Sequence, residues 1–176
     1  MAFRIERGLD DVGWRILAVL QEDARLSFSE LGRRVGLSPP AAAERVRRLE
    51  EAGIITGYHV ALGLEKLGFP MTAIIRVTAP EEKFQQLKTT VRDLDAVLEC
   101  HHVTGADSLV LKVVAVSVAH LERVIEALGR HGTPTTGIIL SSPVPRRAIH
   151  GLPASGGEPP GRRREVSSRE ARARRR

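Results

Sequence analysis

Through residues 9 to 50 the apolar positions recur with the 3.6-residue period of helices, and beyond residue 60 that period alternates with the two-residue period of strands. Leu9, Ile16, Leu17 and Leu20 mark an amphipathic first helix that Asp10 can cap, with Gly13 inside it at a cost of about 1 kcal/mol relative to alanine. Leu31 and Val35 lie one turn apart on a second helix opened by Ser27, and Glu30, three residues on, completes the capping-box pattern. Gly36 breaks the pattern and supplies the positive φ of a tight turn, with Leu37 as the apolar plug. Ser38 then caps a third helix and Pro39 fits its first turn, where an amide donor has no partner in any case. Ala42, Val46 and Leu49 form its buried stripe. After the turn at Gly53, residues 54 to 60 predict a short strand, either the wing of a winged helix or a connecting strand.

Residues 61 to 150 follow a second plan. MTAIIRV (71 to 77), AVLECHHV (96 to 103), LVLKVVAV (109 to 116) and TTGIILS (135 to 141) predict strands. Phe84, Leu87, Val91 and Leu94 predict a helix over 81 to 94, and Leu121, Val124, Ile125 and Leu128 another over 118 to 128. The order βαββαβ implies a four-stranded antiparallel sheet with both helices on one face, a ferredoxin-like unit. The fold class is therefore α+β, with domains at 1–60 and 61–150 and a tail at 151–176. A bare sheet face needs a cover, and each domain is small enough that a second copy is the natural one.

Charge enters through its placement. Residues 1 to 60 hold nine arginines against nine acidic residues, so net charge does not select a partner for this half. The basic residues Arg33, Arg34, Arg45, Arg47 and Arg48 nevertheless cluster around the second and third helices, whereas Asp10, Asp11, Glu22 and Asp23 lie in or beside the first. Two capped helices about a glycine turn, with arginines on the second, outline a helix-turn-helix that reads double-stranded DNA. Arginine forks match phosphate oxygens and the guanine O6/N7 edge. Ser38, Pro39 and Pro40 leave room for close approach to the groove, and Glu44 stands among the arginines. The plainer reading is a solvated helix whose arginines only pair with Glu44, Glu50 and Glu51.

Other chemistry is poorly supported. Cys100, His101 and His102 are possible metal donors, but neighbouring strand residues face opposite ways and cannot all reach one ion. Ser108, Asp107 and a histidine lack an elbow or ordered triad signature. Neither an enzyme, a metal nor a cofactor is expected. One cysteine permits no internal disulfide, and no long apolar run suggests a signal peptide or membrane span, so a cytoplasmic protein with no membrane partner is expected.

The stretch from LDDVGWRILAVLQ to LEEAGIITGY resembles the N-terminal half of the Lrp/AsnC (feast/famine) transcription regulators, and VLECHHVTGADSLVLKV and TTGIILSS extend the similarity to about residue 142. The departures are Gly13 in place of an acidic residue, Arg130-His131 in place of a Gly-Val pair, and the loop Gly105-Ala106-Asp107-Ser108 in place of a Gly-Asp-x-Asp type. The resemblance implies a DNA-binding regulator whose second domain, the RAM domain, pairs through its sheet, assembles dimers into tetramers or octamers, and binds an amino-acid effector between dimers. The residues it points to are Thr104, Gly105, Ala106, Asp107 and Ser108, with Thr133, Thr135 and Thr136 contributing hydroxyls from a neighbouring subunit, although strand propensity explains the threonines equally well. Ordinary hairpin chemistry accounts for the loop residues too. A rival function is a ligand-independent nucleoid or architectural protein that coats DNA.

The tail lies outside the resemblance. Residues 151 to 176 are rich in Gly, Pro, Ser and Arg and carry eight arginines against three glutamates, +5 of the chain's +6. The composition predicts disorder, either a solubilising extension or an arm that touches phosphates.

Overall fold

The computed structural model describes residues 9–144 and 146–151, so the expectation of a disordered tail lies outside the described residues. Three helices come first: α1 (Asp11–Glu22), α2 (Phe28–Val35) and α3 (Pro39–Glu51). After a 3-10 turn at Glu65–Leu67 follow β1 (Met71–Thr78), α4 (Glu81–Asp93), β2 (Val97–His102), β3 (Leu109–Ala115), α5 (Val118–Gly129) and β4 (Thr133–Ile138). The described residues divide into two compact units, one made by residues 9–58 together with 147–151, the other lying within His59–Arg146. Sequence alone places residues 147–150 with the second domain, but hydrogen bonds between Ile149 and Gln21 hold them to the first unit.

In the first unit Ile16, Leu31, Val35, Ala42, Val46 and Leu49 form one buried cluster, with Leu37 and Ile55 packed against it. Full burial of residues such as Ile16 and Leu31 contributes about 1.5–3 kcal/mol each. The Asp10 carboxylate accepts from the Gly13 N–H at 2.8 Å. Gly13 itself is buried, and a Cβ there would lie 2.7 Å from the Leu9 side chain, so the apparent oddity is a packing position. Ser27 caps α2 by accepting from the Glu30 N–H at 3.2 Å. The other half of the expected capping box is not made, because the Glu30 carboxylate turns to Arg33 and Arg34.

The strand expected over 54–60 does not form. The Ile54 and Ile55 amides both donate to the Leu49 carbonyl, at 2.9 and 3.1 Å, finishing α3 instead of joining a ladder. The apolar signal in that stretch reflects Ile55 packing against the helical core.

The second unit is an antiparallel sheet in the order β2-β3-β1-β4. Ala73, Ile75 and Val77 of β1 and Leu109, Leu111 and Val113 of β3 pack with Leu87 and Val91 of α4 and with Leu121, Val124 and Leu128 of α5, so both helices cover one face. Ile74 and Arg76, and across from them Lys112 and Val110, belong to the opposite face. Ser117 caps α5 by accepting from the His120 N–H at 3.1 Å. The last strand begins at Thr133 and ends at Ile138, earlier than the 135 to 141 expected.

Candidate functional site

The turn between α2 and α3 sets the site. Gly36 adopts φ 77° and its N–H returns to the Gly32 carbonyl, which also accepts from Leu37 at 2.8 Å. A Cβ on Gly32 would lie 2.5 Å from the Leu37 carbonyl oxygen, so only glycine lets the turn close this tightly. Gly36 is visible in the sequence as a helix breaker. Gly32 sits inside a helical run, and its spacing from Leu37 gives no local signal of the close approach.

Ser38 occupies the first cap position of α3, but its side chain makes no cap hydrogen bond; its carbonyl accepts from the Ala42 N–H at 2.9 Å. Its hydroxyl is therefore not committed to the helix end, contrary to the side-chain cap expected from sequence. Ser38, Pro39 and Pro40 are exposed at the start of α3, as are Arg47 and Arg48 further along it, while Glu44 and Arg45 are half-buried. Ala42, Val46 and Leu49 hold the opposite side in the core.

Every arginine of the proposed interface is held by a carboxylate. Glu30 accepts from Arg33 Nε and Nη2 at 2.8 and 2.7 Å and from Arg34 Nε at 2.8 Å. Glu44 repeats this one helix later, accepting from Arg47 Nε and Nη2 at 3.0 and 2.8 Å and from Arg48 Nε at 2.8 Å. Arg47 also reaches Glu51, and Arg45 Nη1 donates to Asp10 at 2.8 Å. Both glutamates precede an Arg pair at i+3 and i+4, the spacing that brings side chains together on a helix. The plainer reading of the arginines thus holds for Glu44 and Glu51 but not for Glu50, which accepts from the Tyr58 hydroxyl at 2.8 Å; the arginine pairs are exposed, and exposed pairs are weak enough for phosphate to replace them. Hydrogen bonds from Arg33 and then Arg34 lower the Glu30 carboxyl to about 2, and those from Arg48 and Arg47 lower Glu44 below its ordinary value. On Asp10 the Gly13 N–H is the main cause of a lowered value.

In the second unit the β2–β3 hairpin presents Thr104, Gly105 and Ala106 exposed and Asp107 and Ser108 half-buried. Asp107 lies 3.9 Å from the Arg76 guanidinium on the sheet face away from the helices. Ser108 has a fixed task. Its hydroxyl accepts from the Ala79 N–H at 3.0 Å and donates to the Ala79 carbonyl at 3.3 Å, while its own N–H donates to the Val77 carbonyl at 2.8 Å. Thr136 pairs with Ile75 and so belongs to the helix-covered face, where its hydroxyl is buried with no partner among the described residues. Thr135, paired with Arg76, shares the face that Asp107 approaches. Strand alternation, read across the register, separates Thr136 from the loop within one chain.

Cys100 and His102 face the helices, where the His102 ring lies tilted at 45° against Phe84 with ring centroids 4.8 Å apart, and His101 faces the other way. No group of His, Cys, Asp or Glu that could hold a metal occurs among the described residues. Burial raises the Cys100 thiol. Among the described residues no helix is long and apolar enough to cross a membrane.

A helix-turn-helix with an exposed arginine face, joined to a βαββαβ unit, defines a DNA-binding transcriptional regulator. The chain belongs to the Lrp/AsnC family: residues 9–50 match the AsnC-type helix-turn-helix domain and residues 72–149 the Lrp/AsnC ligand binding domain. It is 45% identical over 135 residues to YezC, an uncharacterized HTH-type transcriptional regulator of Bacillus subtilis, covering 76% of this chain and 95% of that one. The structure of B. subtilis LrpC superposes with a TM-score of 0.75 at 33% identity, covering 80% of this chain and all of that one. A transcriptional regulator from Neisseria meningitidis in complex with L-Met gives 0.73 at 29% identity, over 82% and 96% of the two chains.

Proposed function

We propose that the protein reads operator DNA with α3 and changes its binding when a free amino acid occupies the β2–β3 loop at an interface between copies. The observation that carries the DNA-reading half is the exposed row of Arg47 and Arg48 on α3, opposite the buried Ala42, Val46 and Leu49 and behind the turn at Gly32 and Gly36. Arg33, Arg34 and Arg45 flank it as phosphate contacts, Ser38, Pro39 and Pro40 allow the helix start to enter the groove, and Glu44 aligns the two arginines until a base edge replaces it. A dimer would place two such helices in successive major grooves on one face of a pseudo-palindromic site.

For the effector half, Thr104, Gly105, Ala106 and Asp107 offer backbone groups and one carboxylate to a zwitterion, Asp107 taking the ammonium group. Ser108 anchors the loop rather than touching the ligand, and Thr136 lies on the helix-covered face of the sheet. The L-Met complex of the Neisseria relative is the support for an amino acid as the class of ligand. The effector would act by binding one assembly better than another. Pairing through the uncovered sheet face, with dimers joined into tetramers or octamers, completes the proposed function, which includes no catalytic step and places the protein with DNA in the cytoplasm. Genome-wide binding with and without a panel of amino acids tests it. Discrete sites whose occupancy shifts with one amino acid support it; sequence-indifferent coating, unchanged by any of them, points to the architectural protein.

A further inference from the structure

On the sheet face away from the helices, the last row to cross all four strands before the β2–β3 hairpin sets His101, Val110, Arg76 and Thr135 side by side. Arg76 and Thr135 are exposed, and Val110 is half-buried. Asp107, at the base of the hairpin, stops 3.9 Å short of the Arg76 guanidinium. That is close enough to attract and too far to hydrogen-bond. The arginines of the DNA-binding unit, by contrast, are closed onto their carboxylates, as in Arg45 to Asp10 and Arg48 to Glu44, both at 2.8 Å. On the same sheet face Lys112 is engaged, its Nζ donating to Glu99 at 3.1 Å. Among the described residues neither the Arg76 fork nor the Asp107 carboxylate makes a hydrogen bond. Both keep their full hydrogen-bonding capacity, five N–H donors on one and two acceptor oxygens on the other.

An open pair of opposite charges matches a ligand that carries both charges one carbon apart. The backbone that bears Asp107 is fixed, because the next residue, Ser108, is tied to Val77 and Ala79. Thr135, directly across from Arg76 on β4, offers a hydroxyl at the same place, whereas Thr136 turns to the other face. Val110 beside Arg76, and Ile74 one step along the same face, give an aliphatic side chain an apolar strip. We infer that Arg76 binds the carboxylate of the effector while Asp107 takes its ammonium group, so that the pair selects an α-amino acid over an amine or a carboxylic acid, with Thr135 supplying the strand hydroxyl. The inference rests on the β2–β3 loop as the effector site and adds to it a residue that precedes the loop by 31 positions. Arginine suits this task through its planar fork, which meets both oxygens of a carboxylate.

The test titrates the full chain calorimetrically with each common amino acid, then takes the tightest one and its carboxamide to Arg76→Gln, Arg76→Lys, Thr135→Val and Thr136→Val. Arg76→Gln is expected to weaken amino-acid binding about ten- to a hundredfold, with its unfolding midpoint and its assembly size in light scattering unchanged. Arg76→Lys, which keeps the charge and loses the fork, is expected to lose less. The carboxamide is expected to bind the parent protein no better than the amino acid binds Arg76→Gln, and Thr135→Val to weaken binding where Thr136→Val does not. Parent-like binding by Arg76→Gln, or a carboxamide as tight as the amino acid, overturns the role of Arg76 and leaves the loop as the effector site. Weakened binding that comes with a smaller assembly assigns Arg76 to pairing instead. A loss with Thr136→Val alone overturns the choice of hydroxyl. A parent protein that binds no amino acid removes the effector reading itself, and this inference with it.

Discussion

Arg47 and Arg48 share one carboxylate, and that sets what single replacements do. Arg47→Ala and Arg48→Ala are expected to weaken operator binding about ten- to a hundredfold where the missing fork would have met a base, with unchanged circular dichroism, in a gel-shift titration. Glu44→Gln removes the negative charge that both arginines share, leaving only a neutral amide oxygen to accept from them. It is expected to raise affinity for random duplex more than for operator, and equal weakening on both would show that Glu44 does not restrain the arginines. Gly32→Ala pushes a methyl against the Leu37 carbonyl, so the turn must open; a loss of about 1–3 kcal/mol is expected in thermal unfolding. Glu30 has a folded pKa near 2 against an ordinary 4.5. Its ion pairs therefore contribute above about pH 4.5 and are lost as pH falls from there towards 2, a small contribution because the pairs are exposed. A Glu30→Gln variant should lack that part of the acid transition when helicity is followed against pH.

The hairpin between β2 and β3 is anchored at one end and open at the other. Ser108 ties the end of its loop to Ala79 and Val77, while Thr104, Gly105 and Ala106 remain exposed. Ser108→Ala is expected to cost about 0.5–1.5 kcal/mol of stability and to loosen the loop without removing a ligand group. Asp107→Ala is expected to abolish or weaken the heat of amino-acid binding in calorimetric titration while leaving the unfolding midpoint near that of the parent protein, since the 3.9 Å contact to Arg76 is half-exposed. Retention of full binding by Asp107→Ala would remove it from the site. On β4 the threonines needed the register: Thr135 and Thr136 read alike in sequence, and only their pairing with Arg76 and Ile75 puts them on opposite faces.

The face of the sheet away from the helices carries Ile74 and Val110 beside Arg76 and Lys112, half-buried apolar groups that a second copy would cover further. Ile74→Asp is expected to shift the protein to smaller assemblies in light scattering and to lower operator affinity together, because two reading helices act on one site only while the copies stay joined. A smaller assembly with unaltered operator binding would separate DNA reading from pairing.

Most of the architecture was legible along the chain because the signals are local. Apolar spacing located the five α-helices of the described residues, the cap residues Asp10 and Ser27 act where sequence puts them, and the βαββαβ order implies the sheet that forms. The arginine face of α3 follows from its buried stripe, since fixing Ala42, Val46 and Leu49 inward fixes Arg47 and Arg48 outward. What required the folded chain was each relation between residues that sequence separates or that competes with a local pattern. The amides of Ile54 and Ile55 went to Leu49 and not to a strand, and the Glu30 carboxylate went to arginines and not to its cap. Gly32 proved indispensable through a carbonyl five residues away, and Gln21 met Ile149 across 128 positions. Periodicity records which side of an element is buried; which atoms then meet depends on how the elements close on one another, and that is settled only by packing.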